Sequence, residues 1–188
     1  LVACDIIIKS PGIANTSEIL LALTDAGKEI IGEIEWAYRN ANGKIIGITG
    51  SNGKTTTTGL CHHFLQAAGM DAAKVGNVGE GFCHFLAEHN AAWYVCELSS
   101  FQLEDVETFR PRIGILLNIT PDHLDRYDYS LDKYADAKMR MMRNMTEEDT
   151  LIYNAMDPVT VAKVIGAESE ERLWSIRETD LIGDDKVY

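Results

Sequence analysis

The chain has 188 residues, 46% of them hydrophobic and 24% charged, and a formal net charge of −12. That length accommodates one sizeable core and part of a second domain, and the acidic balance argues against a general nucleic-acid or anionic-membrane surface, which takes its affinity from basic patches. No apolar run approaches the roughly 18 residues of a membrane span, and no basic n-region, apolar h-region and cleavage site open the chain, so a cytoplasmic protein is expected. Leu1 falls inside a strand-like run, which reads as a fragment of a longer chain. Cys4, Cys61, Cys83 and Cys96 are widely spaced with no C-x-x-C pair and read as reduced thiols, mostly buried.

In chain order, "VACDIII" reads as a strand stopped by Pro11 and Gly12, after which Thr16 or Ser17 can cap a helix running to about Asp25. "KEIIGEIEWAYRNAN" offers a short strand and a helix, and the loop Asn40 to Lys44 is the expected domain boundary. "KIIGIT" is a nearly continuous apolar strand, followed by the helix "GKTTTTGLCHHFLQAAG", closed by Gly69. "DAAKVG" is a strand, "GEGFCHFLAEHN" a helix, and "AAWYVCELSS" and "RIGILLNIT" are further strands. "SLDKYADAKMRMMRNM" is a helix capped by Ser130; "DTLIYNAMDP" and "ERLWSIR" are weaker strands, and "ETDLIGDD" a solvated turn. Apolar strands separated by helices predict an α/β fold with a mostly parallel, doubly wound sheet.

The stretch "GITGSNGKTT" lies between a buried strand and a helix, where unpaired backbone amides and the helix dipole favour an anion. Ile48 stands where a strict G-x-x-x-x-G-K-T motif has its first glycine, so the match is G-x-x-G-x-x-G-K-T through Gly47, Gly50 and Gly53. Gly50, Ser51, Asn52, Gly53 and Thr56 would wrap nucleotide phosphates, Lys54 would neutralise them, and the Thr55 hydroxyl would bind Mg²⁺. Ligands of such sheets sit at the carboxyl ends of strands. There, Glu97 is either a Mg²⁺ ligand or a residue capping "SSFQ", and Asn77 in "GNVGEGF" is either a ligand contact or part of a turn. "DHLD", with Asp122, His123 and Asp125, is a candidate metal or substrate corner, and Lys138 shares a helical face with Tyr134, Met141 and Met142, the position of a lysine whose stem covers apolar surface.

Taken together, "SPGI", "ITGSNGKTT", "GNVG", "ELSSFQLE", "NITPDHLDRYD" and "YADAKMRM" resemble the Mur ligase family in order and spacing over almost the whole chain. "SPGI" and "ELSSFQL" make the chain most like the member that adds D-glutamate. The resemblance implies an ATP-dependent amide-bond ligase of cell-wall precursor synthesis, a monomer, acting on UDP-N-acetylmuramoyl-L-alanine and D-glutamate through an acyl phosphate. It implies further that Thr55 and Glu97 hold one Mg²⁺ and His123 a second. Lys138 would take up CO₂ to become an anionic, metal-holding carbamate. Asn77 and His123 would lie near the reacting carboxylate, and Ser10, Pro11 and Gly12 would form a substrate-facing turn. Residues 1–43 would be the end of a uridine-nucleotide-binding domain and 44–188 an ATP-binding central domain incomplete at its end, with no amino-acid-binding domain in this chain, which alone is expected to be inactive. Alternatives are another Mur ligase, a folylpolyglutamate synthase or a non-catalytic nucleotide-binding module.

Overall fold

The computed structural model describes residues 3–167 and, as backbone, 172–176. The acidic segment "ETDLIGDD" lies outside the described residues. The described residues form two sheets. The smaller pairs β1 (Ile6–Lys9) with β2 (Glu29–Gly32) in parallel, joined by α1 (Glu18–Asp25). Leu20 and Leu23 of α1 pack on Ile7 to form its core. Ser17 stands at the N-cap of α1 but makes no capping bond; its hydroxyl is buried with no hydrogen-bond partner among the described residues.

Helix α2 (Glu33–Asn40) leads to the larger sheet and buries Ile34 and Ala37 in that sheet's main core. The larger sheet contains β3 (Lys44–Thr49), β4 (Ala72–Gly76), β5 (Trp93–Glu97), β6 (Ile113–Leu116), β7 (Thr150–Asn154) and β8 (Arg172–Ile176). They lie in the order β4-β5-β3-β6-β7-β8, every neighbouring pair parallel. The expected parallel, doubly wound sheet is therefore present.

Strand β3 is buried from Ile45 to Thr49, and alternate side chains serve opposite faces. Ile46 and Ile48 join Val95 under Cys61 and Leu65 of α3 (Lys54–Ala67). Ile45 faces the other way, into the main core with Val75, Tyr94 and Cys96. Helix α4 (Phe82–Glu88) covers that side, as does α6 (Leu131–Met139), which continues into a 3-10 turn at Arg140–Met142. The α-helix is thus shorter than the segment "SLDKYADAKMRMMRNM". Ser130 caps it as expected, accepting from Lys133 N.

Two helices are additions to the sequence reading. The four-residue α5 (Ser100–Leu103) follows β5 and is opened by a capping box between Ser99 and Gln102. Helix α7 (Pro158–Gly166) starts on Asp157, whose carboxylate accepts from Thr160 N, with Pro158 in the first turn. "DTLIYNAMDP" is thus a strand only as far as Asn154, and its final residues begin a helix. Among the described residues no helix is long and apolar enough to cross a membrane.

Candidate functional site

The loop between β3 and α3 turns on two glycines. Gly50 has φ 153°, and a Cβ there would come within 2.9 Å of Leu117 Cβ; Gly53, the N-cap of α3, has φ 86°. Both positions exclude larger residues, one by space and one by backbone conformation. The loop is clasped to the segment after β6. Asn118 accepts from Asn52 N at 2.9 Å and donates to the Asn52 carbonyl at 3.0 Å, while its own carbonyl accepts from Ser51 N at 2.9 Å. The buried Ser51 hydroxyl donates to the Thr120 carbonyl, accepts from Thr120 N and lies 3.2 Å from the Tyr134 hydroxyl. Ser51 and Asn52 therefore spend these groups on the shape of the loop. The amides of Lys54, Thr55 and Thr56 open α3 and have no carbonyl one turn back within the helix, which leaves them for an anion.

Six of the singled-out residues converge. Pro11, Gly12, Lys54, Asn77, His123 and Lys138 line one cleft of about 210 Å³. Ser10, Thr55 and Glu97 lie off its wall. The wall also includes Asp122, and with it Ser99, Phe101 and Tyr134, which the sequence did not mark as site residues. Asp122 belonged to the D-H-x-D corner, and Ser99 carried an S-x-x-Q signature. Phe101 and Tyr134 had no signal beyond apolar spacing.

Lys138 is 1% exposed on α6. Its ammonium donates to the Gly50 carbonyl at 2.9 Å and sits 4.5 Å from the centroid of the Tyr134 ring. Burial, followed by the charge of Lys54, pushes its pKa down to about 7, against a smaller raising effect of Asp122. A large share of the amine is therefore uncharged at neutral pH. Lys54 donates to the same Gly50 carbonyl at 2.8 Å and to that of Ser51 at 2.9 Å. His123 adopts a left-handed conformation, φ 48°, and its ring lies 5.5 Å from that of Phe101. Its side chain is 63% exposed.

Glu97 ends β5, almost fully buried. One carboxylate oxygen accepts from Asn77 Nδ2 at 3.0 Å, and the other is buried with no hydrogen-bond partner among the described residues. An unpaired buried carboxylate oxygen is costly and suits a cation or a metal-bound water. Among the described residues no three His, Cys, Asp or Glu side chains gather into a metal cage. That donor set fits Mg²⁺, which commonly takes one or two protein carboxylates and completes its shell with water and phosphate oxygens.

On the other side of the loop a cavity of about 350 Å³ is bounded by Asn52, Gly53, Thr57, Asn118, Tyr153 and Asn154, with Ile115 and Ile152 among its apolar residues.

Comparison with known proteins agrees with this architecture. The family description Mur ligase middle domain matches residues 48–182. The chain is 48% identical over 153 residues to UDP-N-acetylmuramoylalanine--D-glutamate ligase of Christiangramia forsetii, covering 81% of this chain and 34% of that protein. It is 41% identical over 181 residues to the enzyme of the same name from Geobacillus kaustophilus, covering 96% and 40%. The chain thus spans between about a third and two fifths of the length of these relatives. Among solved structures, UDP-N-acetylmuramate:L-alanyl-gamma-D-glutamyl-meso-diaminopimelate ligase from Neisseria meningitides superposes with a TM-score of 0.66 at 15% identity, covering 91% of this chain and 58% of that one. MurF from Acinetobacter baumannii gives 0.60 at 24% identity, covering 78% and 34%. At these identities the structures speak to the fold alone. The matched segment runs from the end of β3 through the phosphate-type loop and the strand-end cleft, and on this match the chain belongs to the Mur ligase family through its middle domain.

Proposed function

We propose that this chain is the ATP-binding centre of a ligase that joins D-glutamate to UDP-N-acetylmuramoyl-L-alanine in the cytoplasm, as a monomer, during peptidoglycan precursor synthesis. The observation that carries the reading is the cleft in which Lys54, His123, Lys138 and the Pro11–Gly12 turn meet beside the open N-terminus of α3. The names of the relatives support this choice of substrates. Residues 1–43 are assigned to the end of a nucleotide-sugar-binding unit and 44–188 to the central domain, with α2 as the joint.

ATP is consumed as a substrate. Its phosphates face the amides of Gly53, Lys54, Thr55 and Thr56, and its base takes the cavity bounded by Tyr153 and Asn154. A carboxylate oxygen of the UDP-linked substrate attacks the γ-phosphorus, the bond to the β-phosphate oxygen breaks, and ADP leaves. The amine of D-glutamate then attacks the acyl carbon, phosphate leaves, and the amine gives up its proton. Phosphoryl transfer of this kind depends on placement and charge neutralisation. Lys54 supplies positive charge. Glu97, oriented by Asn77, and the Thr55 hydroxyl are the residues that would hold Mg²⁺, with His123 at a second such site. Mg²⁺, when bound, offsets the negative charge of the phosphates.

Lys138 has the chemistry for carbamate formation. Its uncharged amine attacks CO₂, a nitrogen–carbon bond forms and one proton is released, leaving an anionic carbamate near the residues that would hold the metal. The buried, partly neutral amine supports this reading.

The test is phosphate release by the full-length protein with ATP and UDP-N-acetylmuramoyl-L-alanine, adding D-glutamate, L-glutamate, L-lysine or diaminopimelate in turn. Release that requires D-glutamate is expected. Release with another amino acid would make the protein a different Mur ligase, and no release with any would leave a nucleotide-binding module.

A further inference from the structure

Behind the Ser10–Gly12 turn lies a lysine with no role in the site described so far. Lys9 ends β1 with its side chain 1% exposed and its ammonium 2.7 Å from Asp105 Oδ2. It also donates to Asn15 Oδ1 at 2.7 Å and to the Ile13 carbonyl at 3.1 Å, and Asn15 Nδ2 donates onward to Asp105 Oδ1 at 3.1 Å. Among the described residues no hydrogen bond is aligned on Asp105 Oδ2, so the contact with Lys9 there is a bare ion pair. The turn is closed by Ile13 N donating to the Ser10 carbonyl at 3.0 Å. Asp105 follows α5, whose first residues share the cleft wall with Pro11 and Gly12. Gly32 presses on Asp105 from β2: a Cβ there would stand 2.7 Å from Asp105 Cβ.

Desolvating an ammonium is expensive, and a methionine of similar length would fill the same space without that cost. An apolar filler, however, fixes no direction. Three oxygen partners from three separate positions define where the Lys9 side chain ends, and with it where the adjoining turn stands relative to α5. We propose that Lys9, Asn15 and Asp105 form a positioning device that holds the Ser10–Gly12 turn as the seat of the UDP-linked substrate. The device governs the affinity for that substrate and leaves the phosphate chemistry alone. The inference rests on the ligase reading above.

In the full-length protein, the double variant Lys9→Met/Asp105→Asn removes both charges and leaves neither unpaired. Steady-state kinetics are expected to show KM for UDP-N-acetylmuramoyl-L-alanine raised on the order of tenfold, with KM for ATP and kcat within about twofold of wild type. Lys9→Arg, which keeps the charge, is expected to stay nearer to wild type. An unchanged KM for the UDP-linked substrate overturns the proposal, and so does an equal rise in KM for ATP, the mark of a generally loosened fold. Asn15→Ala, at an exposed position, gives the same split in smaller measure and decides the matter if the double variant does not fold. Failure of the proposal alone leaves wild-type ligation intact, whereas wild-type protein that ligates no amino acid refutes the ligase reading and takes this inference with it.

Discussion

Lys138 carries a pH signature that can be read without any substrate. Its amine titrates near 10.5 in the unfolded chain and at about 7 in the folded one, so between those values the unfolded state binds more protons. Stability through this group therefore rises with pH from about 7 to 10.5, and below 7 the cost of the buried charge is fully felt. Lys138→Met removes that cost. Thermal denaturation across pH is expected to show the variant melting above wild type near about pH 6 and losing part of the rise between neutral and alkaline pH. The same variant is expected to abolish phosphate release in the full-length protein. A variant that melts lower at every pH would mean that the bond to the Gly50 carbonyl outweighs the desolvation it demands.

At the level of elements, legibility followed the length of the local pattern. Strand β3 and helix α3 could be read because a continuous apolar run ends in glycines and a lysine, each with one mechanical reason to be there. Helix α5 has only four residues, too few for a 3.6-residue period, yet its Ser99–Gln102 capping box is a local signal that could have revealed it. Helix α7 was hidden by the apolar run before it, although Asp157 and Pro158 are the residues that begin helices. For the cleft, each strand-end motif could be found separately. What no spacing contains is that the Pro11–Gly12 turn faces the same cleft as Lys138, because that convergence is made by packing between distant segments. Phe101 and Tyr134 were missed for the same reason, since an aromatic on an apolar face looks like core until its neighbours are known. The entry to α3 supplies its own test. Gly53→Ala places a Cβ at φ 86°, which is expected to cost about 1 kcal/mol in urea unfolding and to weaken ADP binding by calorimetry. Equal ADP affinity in the variant would remove the loop's left-handed turn from the binding argument.

Across the whole molecule, a buried charge ties α2, which follows the smaller sheet, to the segment that leads into β6. Glu35 of α2 is fully buried and accepts from the backbone amides of Glu107, Thr108 and Phe109, from the Thr108 hydroxyl and from Arg39. Burial alone would raise its pKa; the bonds from Thr108, Glu107 and Arg39 outweigh it and hold the carboxyl below its ordinary 4.5. The stability it contributes is present above 4.5 and is lost as pH falls through the lower, folded value. Glu35→Gln is therefore expected to cost about 3 kcal/mol in urea unfolding at neutral pH, with the gap to wild type closing under acid. A gap independent of pH would mean that shape, and not charge, makes the joint.

The carbonyl of Gly50 receives both Lys54, from the first turn of α3, and Lys138, from α6. Two ammonium groups on one oxygen are not independent, because discharging or displacing either alters the field in which the other sits. If Lys138 takes up CO₂ while Lys54 turns toward a nucleotide, each event changes the equilibrium of the other by one and the same factor, as thermodynamic reciprocity requires. Dissolved carbon dioxide and nucleotide would then be effectors of one another, with a single backbone oxygen as the point of exchange.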